Sequence, residues 1–315
     1  MTGSKSISGR KLPRYSGIKT FFRLPSGDFK DVWDVGIFGI PYDGATSYRP
    51  GCRFAPSRIR EVSALGRGYS LVRELSWFER LNVVDLGDCQ SNPMDQDATY
   101  KGIESFWGEI LALSRRGIAI GGDHSVTLAN LRACKAVLNE PLALIHFDAH
   151  VDTYPASWGS EFHHGAFLRH ALKEGLVDPD KVVQIGIRGP LNDIADLDIG
   201  KNNKFSVYTV ADIRRLGLDN FCQRIPDFGQ TPTFITFDID CLDPAYAPGT
   251  GTPVPGGLTT FEVLSMLQSL SCPNLIGADL VEISPPYDHA DITSLAGVYI
   301  LSEIINIMAA FSRND

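Results

Sequence analysis

The stretch Leu142–Asp152, LALIHFDAHVD, joins an apolar run to polar residues at alternate positions. Its first six residues, Leu142–Phe147, are almost wholly apolar, as in a parallel strand that is covered on both faces. Asp148, His150 and Asp152 follow, and while the chain stays extended their side chains point to one side. The stretch therefore predicts a buried strand that delivers three potential metal ligands at its carboxyl end.

Similar apolar runs alternate with helix-like segments on either side of this stretch. We predict the other strands at Asp34–Ile40, Leu81–Leu86, Gly117–Ile120, Val182–Ile187, Phe205–Tyr208, Thr233–Phe237 and Ile276–Ile283. Helices are predicted near residues 57–69, 97–116, 126–138, 164–176, 210–224, 260–270 and 293–311. This alternation predicts an α/β fold with a parallel sheet and helices on both faces. An eight-stranded barrel fits the same pattern, and both architectures place active sites at the carboxyl ends of their strands.

Three more of the predicted strand ends carry carboxylates or imidazoles. His124 follows a pair of glycines after the third strand. Asp238 and Asp240 follow the seventh strand, and Glu282 lies near the end of the eighth. Without a cation, these clustered charges would suffer like-charge repulsion and desolvation. The predicted ligand set is His124, Asp148, His150, Asp152, Asp238 and Asp240.

The number and type of these ligands predict the kind of metal centre. Four carboxylates and two imidazoles exceed what a single tetrahedral zinc ion needs. They suit two borderline-hard cations that share bridging carboxylates, and manganese is the natural choice.

Composition excludes several classes of protein. The chain has 315 residues, 43% of them hydrophobic, and residues 1–14 are predicted to form an N-terminal arm. A net charge of −8 argues against nucleic acid as a partner. We find no apolar run long enough to span a bilayer, so no membrane partner is expected, and the N-terminus lacks the features of a signal peptide. Six scattered cysteines without a C-x-x-C pair predict reduced thiols and a cytoplasmic protein.

At these residues the sequence resembles the ureohydrolases, the family of arginase and agmatinase. The matching motifs are GGDHS (121–125), DAHVD (148–152), DIDCLDP (238–244), GTGTPVPGG (249–257) and DLVEISPPYD (279–288). The resemblance is greatest to agmatinase, guanidinobutyrase and proclavaminate amidinohydrolase. It covers almost the whole chain, so residues 1–315 are predicted to form one ureohydrolase domain.

The resemblance implies a three-layer α/β/α fold with an eight-stranded parallel sheet and two manganese ions. One metal would be held by His124, Asp148, Asp152 and Asp238. The other would be held by His150, Asp148, Asp238 and Asp240, with Asp148 and Asp238 bridging. The family also implies homotrimers or homohexamers.

The resemblance further implies roles in the hydrolysis of a guanidino compound to urea and an amine. Two metals that share one water can lower its pKa, and a carboxylate must hold the planar guanidinium in line. Glu282 matches the family's glutamate and is the candidate for this contact. His164 matches a histidine–glycine pair and is the candidate proton relay to the departing amine, with His163 beside it as a substrate contact. Asp123 is expected to hold a ligand or loop in place.

The far end of the substrate decides which guanidino compound is cleaved. The loop before His164 lacks the Ser-Gly-Asn type of segment with which arginases read their substrate, and this argues against arginine. Glu161 is a candidate partner for the distal amine of agmatine. Arg188, or an arginine in the Arg49–Arg53 loop, would instead receive the carboxylate of 4-guanidinobutyrate or another ω-guanidino acid. Agmatine is slightly favoured, and free guanidine, with a nickel pair, is a further alternative.

Two other classes of protein remain open at this point. A single-zinc deacetylase of the same fold needs an Asp-x-His pair and a distant aspartate, which Asp148, His150 and Asp240 provide. Metal stoichiometry separates that enzyme from a two-metal hydrolase. A non-catalytic relative would have lost ligands, whereas here every matched ligand position is filled.

Overall fold

The eight predicted strands form one parallel sheet. A computed structural model describes residues 6–191 and 193–312. The strands are β1 (Val35–Gly39), β2 (Val83–Asp88), β3 (Arg116–Ile120), β4 (Leu142–Phe147), β5 (Val177–Ile187), β6 (Ser206–Thr209), β7 (Thr233–Asp238) and β8 (Leu275–Val281). They lie in the order β2-β1-β3-β8-β7-β4-β5-β6, and all neighbours are parallel. The edge strands β2 and β6 do not pair with each other, so the sheet is open and the barrel alternative is wrong.

Helices cover both faces of this sheet. They are α1 (Ala55–Val62), α2 (Trp77–Arg80), α3 (Gln96–Ala112), α4 (Val126–Leu138), α5 (Phe167–Lys173), α6 (Asp198–Asn203), α7 (Val210–Leu216), α8 (Leu218–Cys222), α9 (Thr260–Ser269) and α10 (Ile292–Ala310). Short 3-10 helices lie at Phe21–Arg23, Cys52–Phe54, Ser63–Leu65, His164–Ala166, Ile194–Leu197, Ile239–Cys241 and Pro285–Tyr287.

Alternation along each strand divides the interior into two cores. Val35 and Ile37 of β1 enter a core that also contains side chains of α1, α7, α8, α9 and α10. Phe38, the next residue, enters a second core with side chains of α3, α4 and α5. Because successive side chains of a strand point to opposite faces, the sheet is the middle layer between these two sets of helices. The predicted three-layer α/β/α architecture is confirmed.

Two glycines let a large side chain pack against the centre of the sheet. Gly117 of β3 and Gly277 of β8 are direct partners in the ladder, and Trp107 of α3 lies over both. A Cβ atom at either glycine would come within 2.5–2.6 Å of the Trp107 ring. The indole is completely buried and donates a hydrogen bond of 2.7 Å to Asn130 Oδ1. The glycines are therefore needed for close helix–sheet packing.

The helix predictions were wrong in detail at three places. The helix predicted over 57–69 ends at Val62, and a two-stranded hairpin (Tyr69–Ser70 with Leu75–Ser76) and α2 follow it. The helix predicted over 210–224 is divided into α7 and α8 because Gly217 has a φ of +81°. The helix α6 was not predicted.

The prediction that no apolar segment is long enough to span a membrane was also wrong. Helix α10 has 19 residues and a mean hydropathy of 1.6, which meet that requirement by length and composition. However, 78% of its apolar window is buried inside the protein, as in the core helix of a globular domain.

The N-terminal segment contacts the rest of the chain where the structure describes it. The Ser6 hydroxyl donates to the Phe22 carbonyl (2.8 Å), and the Ile7 N–H donates to the Arg23 carbonyl (3.2 Å). Residues 1–5 of the predicted arm lie outside the described residues. The arm and the single-domain organisation stay predictions.

Candidate metal centre

The predicted ligands converge because their strands are neighbours in the sheet. The four central strands, β3, β8, β7 and β4, lie side by side, and each is followed by one of the polar segments identified in the sequence. Parallel strands end at the same edge, so residues far apart in the chain meet there. All six predicted ligands are at this edge, and all but His150 are at least 96% buried.

His124 lies at the centre of the first group of ligand atoms. Its Nδ1 is 2.9 Å from Asp152 Oδ2, 3.1 Å from Asp148 Oδ2 and 3.2 Å from Asp238 Oδ2. The same Nδ1 is buried and has no hydrogen-bond partner of acceptable geometry. One imidazole nitrogen and three carboxylate oxygens that face a common point fit a divalent cation, which removes their mutual repulsion.

His150 marks the second group. Its Nδ1 is 3.1 Å from Asp240 Oδ2 and 3.4 Å from Asp148 Oδ1. Asp148 therefore presents one oxygen to each group, an arrangement that suits its predicted bridging role. Asp238 directs Oδ2 toward His124 and accepts the Asp240 N–H with Oδ1, so its predicted bridging role stays a prediction.

The ligand loop after β4 does not continue as a strand. The strand ends at Phe147, and Asp152 has a φ of +49°, in the left-handed region. The three side chains at 148, 150 and 152 still converge as predicted, but through a turn that backbone contacts hold. The Asp152 carbonyl accepts the N–H groups of Leu168 and Arg169 at the start of α5.

His146 belongs to the centre but was missed by the sequence analysis. Its Nε2 lies 2.8 Å from Asp148 Oδ2, and its Nδ1 lies 3.0 Å from Gln184 Nε2. That amide nitrogen also donates to the Val151 carbonyl (2.9 Å), which identifies it as NH₂. His146 Nδ1 is therefore an acceptor and Nε2–H donates to Asp148, so His146 orients a ligand rather than binding metal. A histidine inside an otherwise apolar strand was the signal for it.

Glu282 and His164 form a pair beside the ligands. Glu282 is completely buried and has a φ of +63°, and its Oε1 is 2.9 Å from both His164 Nδ1 and the His124 N–H. The Cys52 thiol donates to Oε2 (3.2 Å). The Glu282 carboxylate is thus held by three donors. Its predicted contact with a guanidinium stays a prediction.

The other ring nitrogen of His164 faces the cavity. Nε2 lies 2.6 Å from the Ser47 hydroxyl and 3.2 Å from the Ser47 N–H. Burial opposes protonation, but the charge of Glu282 and its hydrogen bond outweigh this and raise the pKa of His164 to about 9. The Ser47 N–H donates to Nε2, so the predicted role of His164 as a proton relay stays a prediction.

Asp123 supports the loop that carries Ser47. Its Oδ2 accepts the Ala45 N–H (2.9 Å) and its Oδ1 accepts the Ser125 N–H (3.0 Å). Burial and then the charge of Glu282 raise the pKa of Asp123 to about 6. Asp123 contacts backbone rather than a ligand side chain, in keeping with its predicted loop-holding role.

A cavity of about 640 Å³ opens above the ligands. The ligands His124, His150, Asp152 and Asp238 lie at its base. Its walls are Ser47, Tyr154, Pro155, Ser157, Trp158, His163, His164, Gly165, Pro190, Asp193, Asp196 and Thr252. His163, predicted to contact substrate, lies in this wall with its Nε2 2.9 Å from the Pro155 carbonyl.

The other predicted substrate contacts are not in this wall. Glu161 is exposed and does not line the cavity. Arg188 turns inward, where its guanidinium donates to five backbone carbonyls (residues 186, 240, 241, 242 and 254). Arg53 pairs with Asp43, and Arg49 stacks between Tyr48 and Tyr287. Apart from the predicted ligands and the two histidines, the charged residues of the cavity wall are Asp193 and Asp196. The sequence analysis did not identify them.

Comparisons with known proteins agree with this geometry. The chain matches the Arginase family over residues 33–306. It is 42% identical over 310 residues to a proclavaminate amidinohydrolase of Streptomyces clavuligerus, covering 98% of this chain and 99% of that protein. It is 44% identical over 295 residues to an agmatinase of Proteus mirabilis, covering 92% of this chain and 93% of that protein. A solved structure of the Streptomyces clavuligerus proclavaminate amidinohydrolase superposes with a TM-score of 0.88 at 41% identity, covering 95% and 99% of the two chains. The chain therefore belongs to the arginase family, which confirms the predicted class of enzyme, a binuclear-metal ureohydrolase.

Proposed function

We propose that this enzyme hydrolyses agmatine to urea and 1,4-diaminobutane. The observation that carries the proposal is the charge of the cavity wall. Asp193 and Asp196 line it, and no arginine or lysine among the described residues does. A guanidinium at the metal centre would place the other end of a short substrate among these groups. An ammonium group fits carboxylates there, whereas the carboxylate of an ω-guanidino acid would meet like charge.

The metal pair is proposed to be manganese, with nickel as the alternative. The ligand atoms are carboxylate oxygens and imidazole nitrogens without a thiolate, a set that suits manganese. When bound, a pair of divalent cations lowers the pKa of water and stabilises negative charge in the transition state. His124, Asp148, Asp152 and Asp238 would hold one cation, and Asp148, His150, Asp238 and Asp240 the other.

The protein's own groups supply the proton that the reaction needs. Water adds to the guanidinium carbon, the bond from this carbon to the alkyl nitrogen breaks, and the departing amine takes up a proton. His164 is held by Glu282 through Nδ1 and presents Nε2 beside the Ser47 hydroxyl in the cavity wall. We assign proton delivery to His164, with Glu282 keeping it protonated and oriented.

Two further expectations are proposals as well. The six cysteines are all free thiols, which supports a reducing, cytoplasmic location. A homotrimer or homohexamer is proposed from the family resemblance, and light scattering after size-exclusion chromatography would measure it.

A substrate panel tests the proposed reaction. Purified protein loaded with Mn²⁺, and separately with Ni²⁺, would be incubated with agmatine, 4-guanidinobutyrate, 3-guanidinopropionate, arginine or guanidine, and urea quantified. We expect agmatine to give the highest kcat/KM. A higher value for a guanidino acid would overturn the substrate assignment. Absence of urea from every compound with both metals would overturn the proposed activity.

Matched variants test the observation itself. The double variant Asp193→Asn/Asp196→Asn should raise KM for agmatine about tenfold and change kcat little. The reason is that the distal ammonium contacts the enzyme equally in the ground state and the transition state. Glu161→Gln removes the same charge from an exposed residue outside the cavity wall and serves as the control. If Glu161→Gln raises KM and the paired variant does not, the distal amine contacts Glu161 rather than the carboxylates of the cavity wall.

A further inference from the structure

A buried carboxylate outside the ligand set lies beneath the metal centre. Asp279 of β8 is completely buried, next to Thr236 of β7 in the sheet register. Its Oδ2 accepts hydrogen bonds from Thr127 Oγ1 and Asn130 Nδ2, each at 2.8 Å. The Thr236 hydroxyl also stabilises the carboxylate, although Oδ1 has no hydrogen bond of acceptable geometry. No arginine or lysine of the described residues forms an ion pair with it. Burial raises the pKa of Asp279, so an ionised carboxylate at this position has an unfavourable free energy unless positive charge lies nearby.

A chain of hydroxyl groups connects Asp279 to His124. Thr127 Oγ1 lies 3.3 Å from Thr236 Oγ1, and Thr236 Oγ1 lies 2.9 Å from His124 Nε2. Thr127 and Thr236 are completely buried, so water does not compete for these contacts. The chain runs from a carboxylate in the sheet to the imidazole on which the first cation site is built.

An ionised Asp279 fixes the direction of every hydrogen bond in this chain. A carboxylate only accepts, so Thr127 donates to it, and the Thr127 oxygen is then free to accept from Thr236. The Thr236 proton is directed at Thr127 or at the Asp279 carboxylate itself, so in either case its oxygen accepts from His124 Nε2–H. The neutral imidazole then has its lone pair on Nδ1, the atom that faces Asp148, Asp152 and Asp238. This is the tautomer that a metal ligand requires.

We propose that Asp279 is a positioning residue of the metal centre. It holds His124 in its ligating tautomer through Thr127 and Thr236, and it supplies negative charge beneath the metal ion that His124 would bind. The inference rests on the metal dependence proposed above. It goes beyond the ligand set because Asp279 does not reach the cations itself. It also explains why a completely buried carboxylate is kept in a core strand.

Asp279→Asn tests the role of the charge, because the amide keeps the shape and an oxygen that accepts from Thr127 and Asn130. Mn²⁺ affinity and stoichiometry would be measured by calorimetric titration of metal-free protein, and Tm would be measured with and without metal. We expect the affinity of one of the two sites to fall about 10- to 100-fold. We also expect the Tm of the metal-free variant to equal or exceed that of the wild type, because an uncompensated buried charge has been removed.

Two threonine variants separate the hydrogen-bond chain from general packing. Thr127→Val breaks the chain next to Asp279, keeps the charge and should weaken the same site by a smaller factor. Thr99→Val removes a completely buried hydroxyl from α3, where it bonds backbone carbonyls away from the ligands, and should change Tm without changing Mn²⁺ affinity.

The outcomes distinguish this inference from the proposed function. One outcome would overturn the inference alone. In it, the wild type binds two Mn²⁺, Asp279→Asn binds them with unchanged affinity, and the metal-free variant has a lower Tm, so that Asp279 is a structural residue. A wild type that binds no Mn²⁺ or Ni²⁺ would overturn the metal-dependent function first, and the inference with it. Selective weakening of one site, with Tm of the metal-free protein maintained, would support both.

Discussion

His164 Nδ1 lies 2.9 Å from Glu282 Oε1, although 118 residues separate the two in the chain. The carboxylate is completely buried and the imidazole reaches the cavity wall. Despite burial, the charge of His164 and its hydrogen bond lower the pKa of Glu282, while Glu282 raises that of His164 to about 9. The pair therefore favours a protonated imidazole in the cavity wall at neutral pH.

Replacing Glu282 should reduce the protonation of His164 at neutral pH. In Glu282→Gln the imidazole loses its counter-charge, so its pKa falls and less of it is protonated at neutral pH. We expect kcat for agmatine to fall about 100-fold or more, the usual range for loss of a positioned acid. Steady-state kinetics at pH 7.5 would measure this, and Mn²⁺ binding should persist because Glu282 is outside the ligand set. A variant with wild-type kcat would exclude the assigned role.

The pH dependence of kcat should report the same pair. Activity is expected to decline as the pH rises to about 9, where His164 loses its proton. Bound cations add positive charge nearby and lower the pKa of His164, so the decline in the metal-loaded enzyme should begin at a lower pH. A kcat profile from pH 6 to 10 would locate this limb. This limb should be absent from the lower activity of His164→Asn, because asparagine has no proton to lose in this pH range. An unchanged alkaline limb in that variant would assign it to another group.

Stability of the metal-free protein offers a check that is independent of activity. The folded-state pKa of His164 is raised from 6.5 to about 9, so its protonated form is favoured by folding. This contribution is full below pH 6.5 and is lost as the pH rises to about 9. The Tm difference between wild type and His164→Asn should therefore shrink between these pH values. A difference that grows with pH would contradict the raised pKa.

The Cys52 thiol should matter through Glu282. Cys52 is completely buried, and burial followed by the charge of Glu282 raises its pKa well above the ordinary value, so it remains a neutral donor. Cys52→Ala removes one hydrogen bond to Oε2, and we expect kcat to fall about fivefold, the equivalent of roughly 1 kcal/mol. Cys52→Ser keeps a donor and should stay within about twofold of wild type.

Cys134→Ala is the control for lost packing, because Cys134 is equally buried in α4 without contacting Glu282. Equal losses of kcat in the two alanine variants would show that the thiol acts through packing alone.

The sheet and its ligands were predictable because they rest on local patterns. Each central strand is a largely apolar run, and such a run is best accommodated where it is buried on both faces. The ligands follow these strands directly, so their convergence required only that parallel strands end at one edge. Helix ends were less predictable. The break at Gly217 depends on one residue adopting a left-handed conformation, which the composition of the segment does not require.

The substrate end of the cavity was not predictable, since side-chain direction decides it. Glu161 and Arg188 both lie in segments that follow ligand-bearing or neighbouring strands, yet neither lines the cavity. Asp193 and Asp196 do, the first directly before the short 3-10 helix Ile194–Leu197 and the second within it. His146 appeared in the sequence as part of an apolar strand, and only its hydrogen bonds with Asp148 and Gln184 show its function.

Arg188 should be a structural residue rather than a reader of substrate. Its guanidinium donates to the carbonyls of Asp240 (2.7 Å), Cys241 (3.1 Å) and Leu242 (3.0 Å), so it holds the turn that carries the predicted metal ligand Asp240. Arg188→Lys loses the planar arrangement of donors, and several carbonyls are left without partners. We expect the free energy of unfolding to fall by about 2–4 kcal/mol, as for loss of a buried hydrogen-bond network.

Denaturant unfolding of Arg188→Lys would measure this loss, with Arg215→Lys, at an exposed site on α7, as the matched control. The ratio of kcat/KM for agmatine over 4-guanidinobutyrate should stay within about twofold of wild type, because neither substrate contacts a guanidinium whose donors are all directed at the backbone. A tenfold rise in that ratio, from selective loss of activity on the guanidino acid with unchanged stability, would show that Arg188 binds a carboxylate. The cavity would then accept a substrate of the opposite end charge, and agmatine would no longer be the favoured compound.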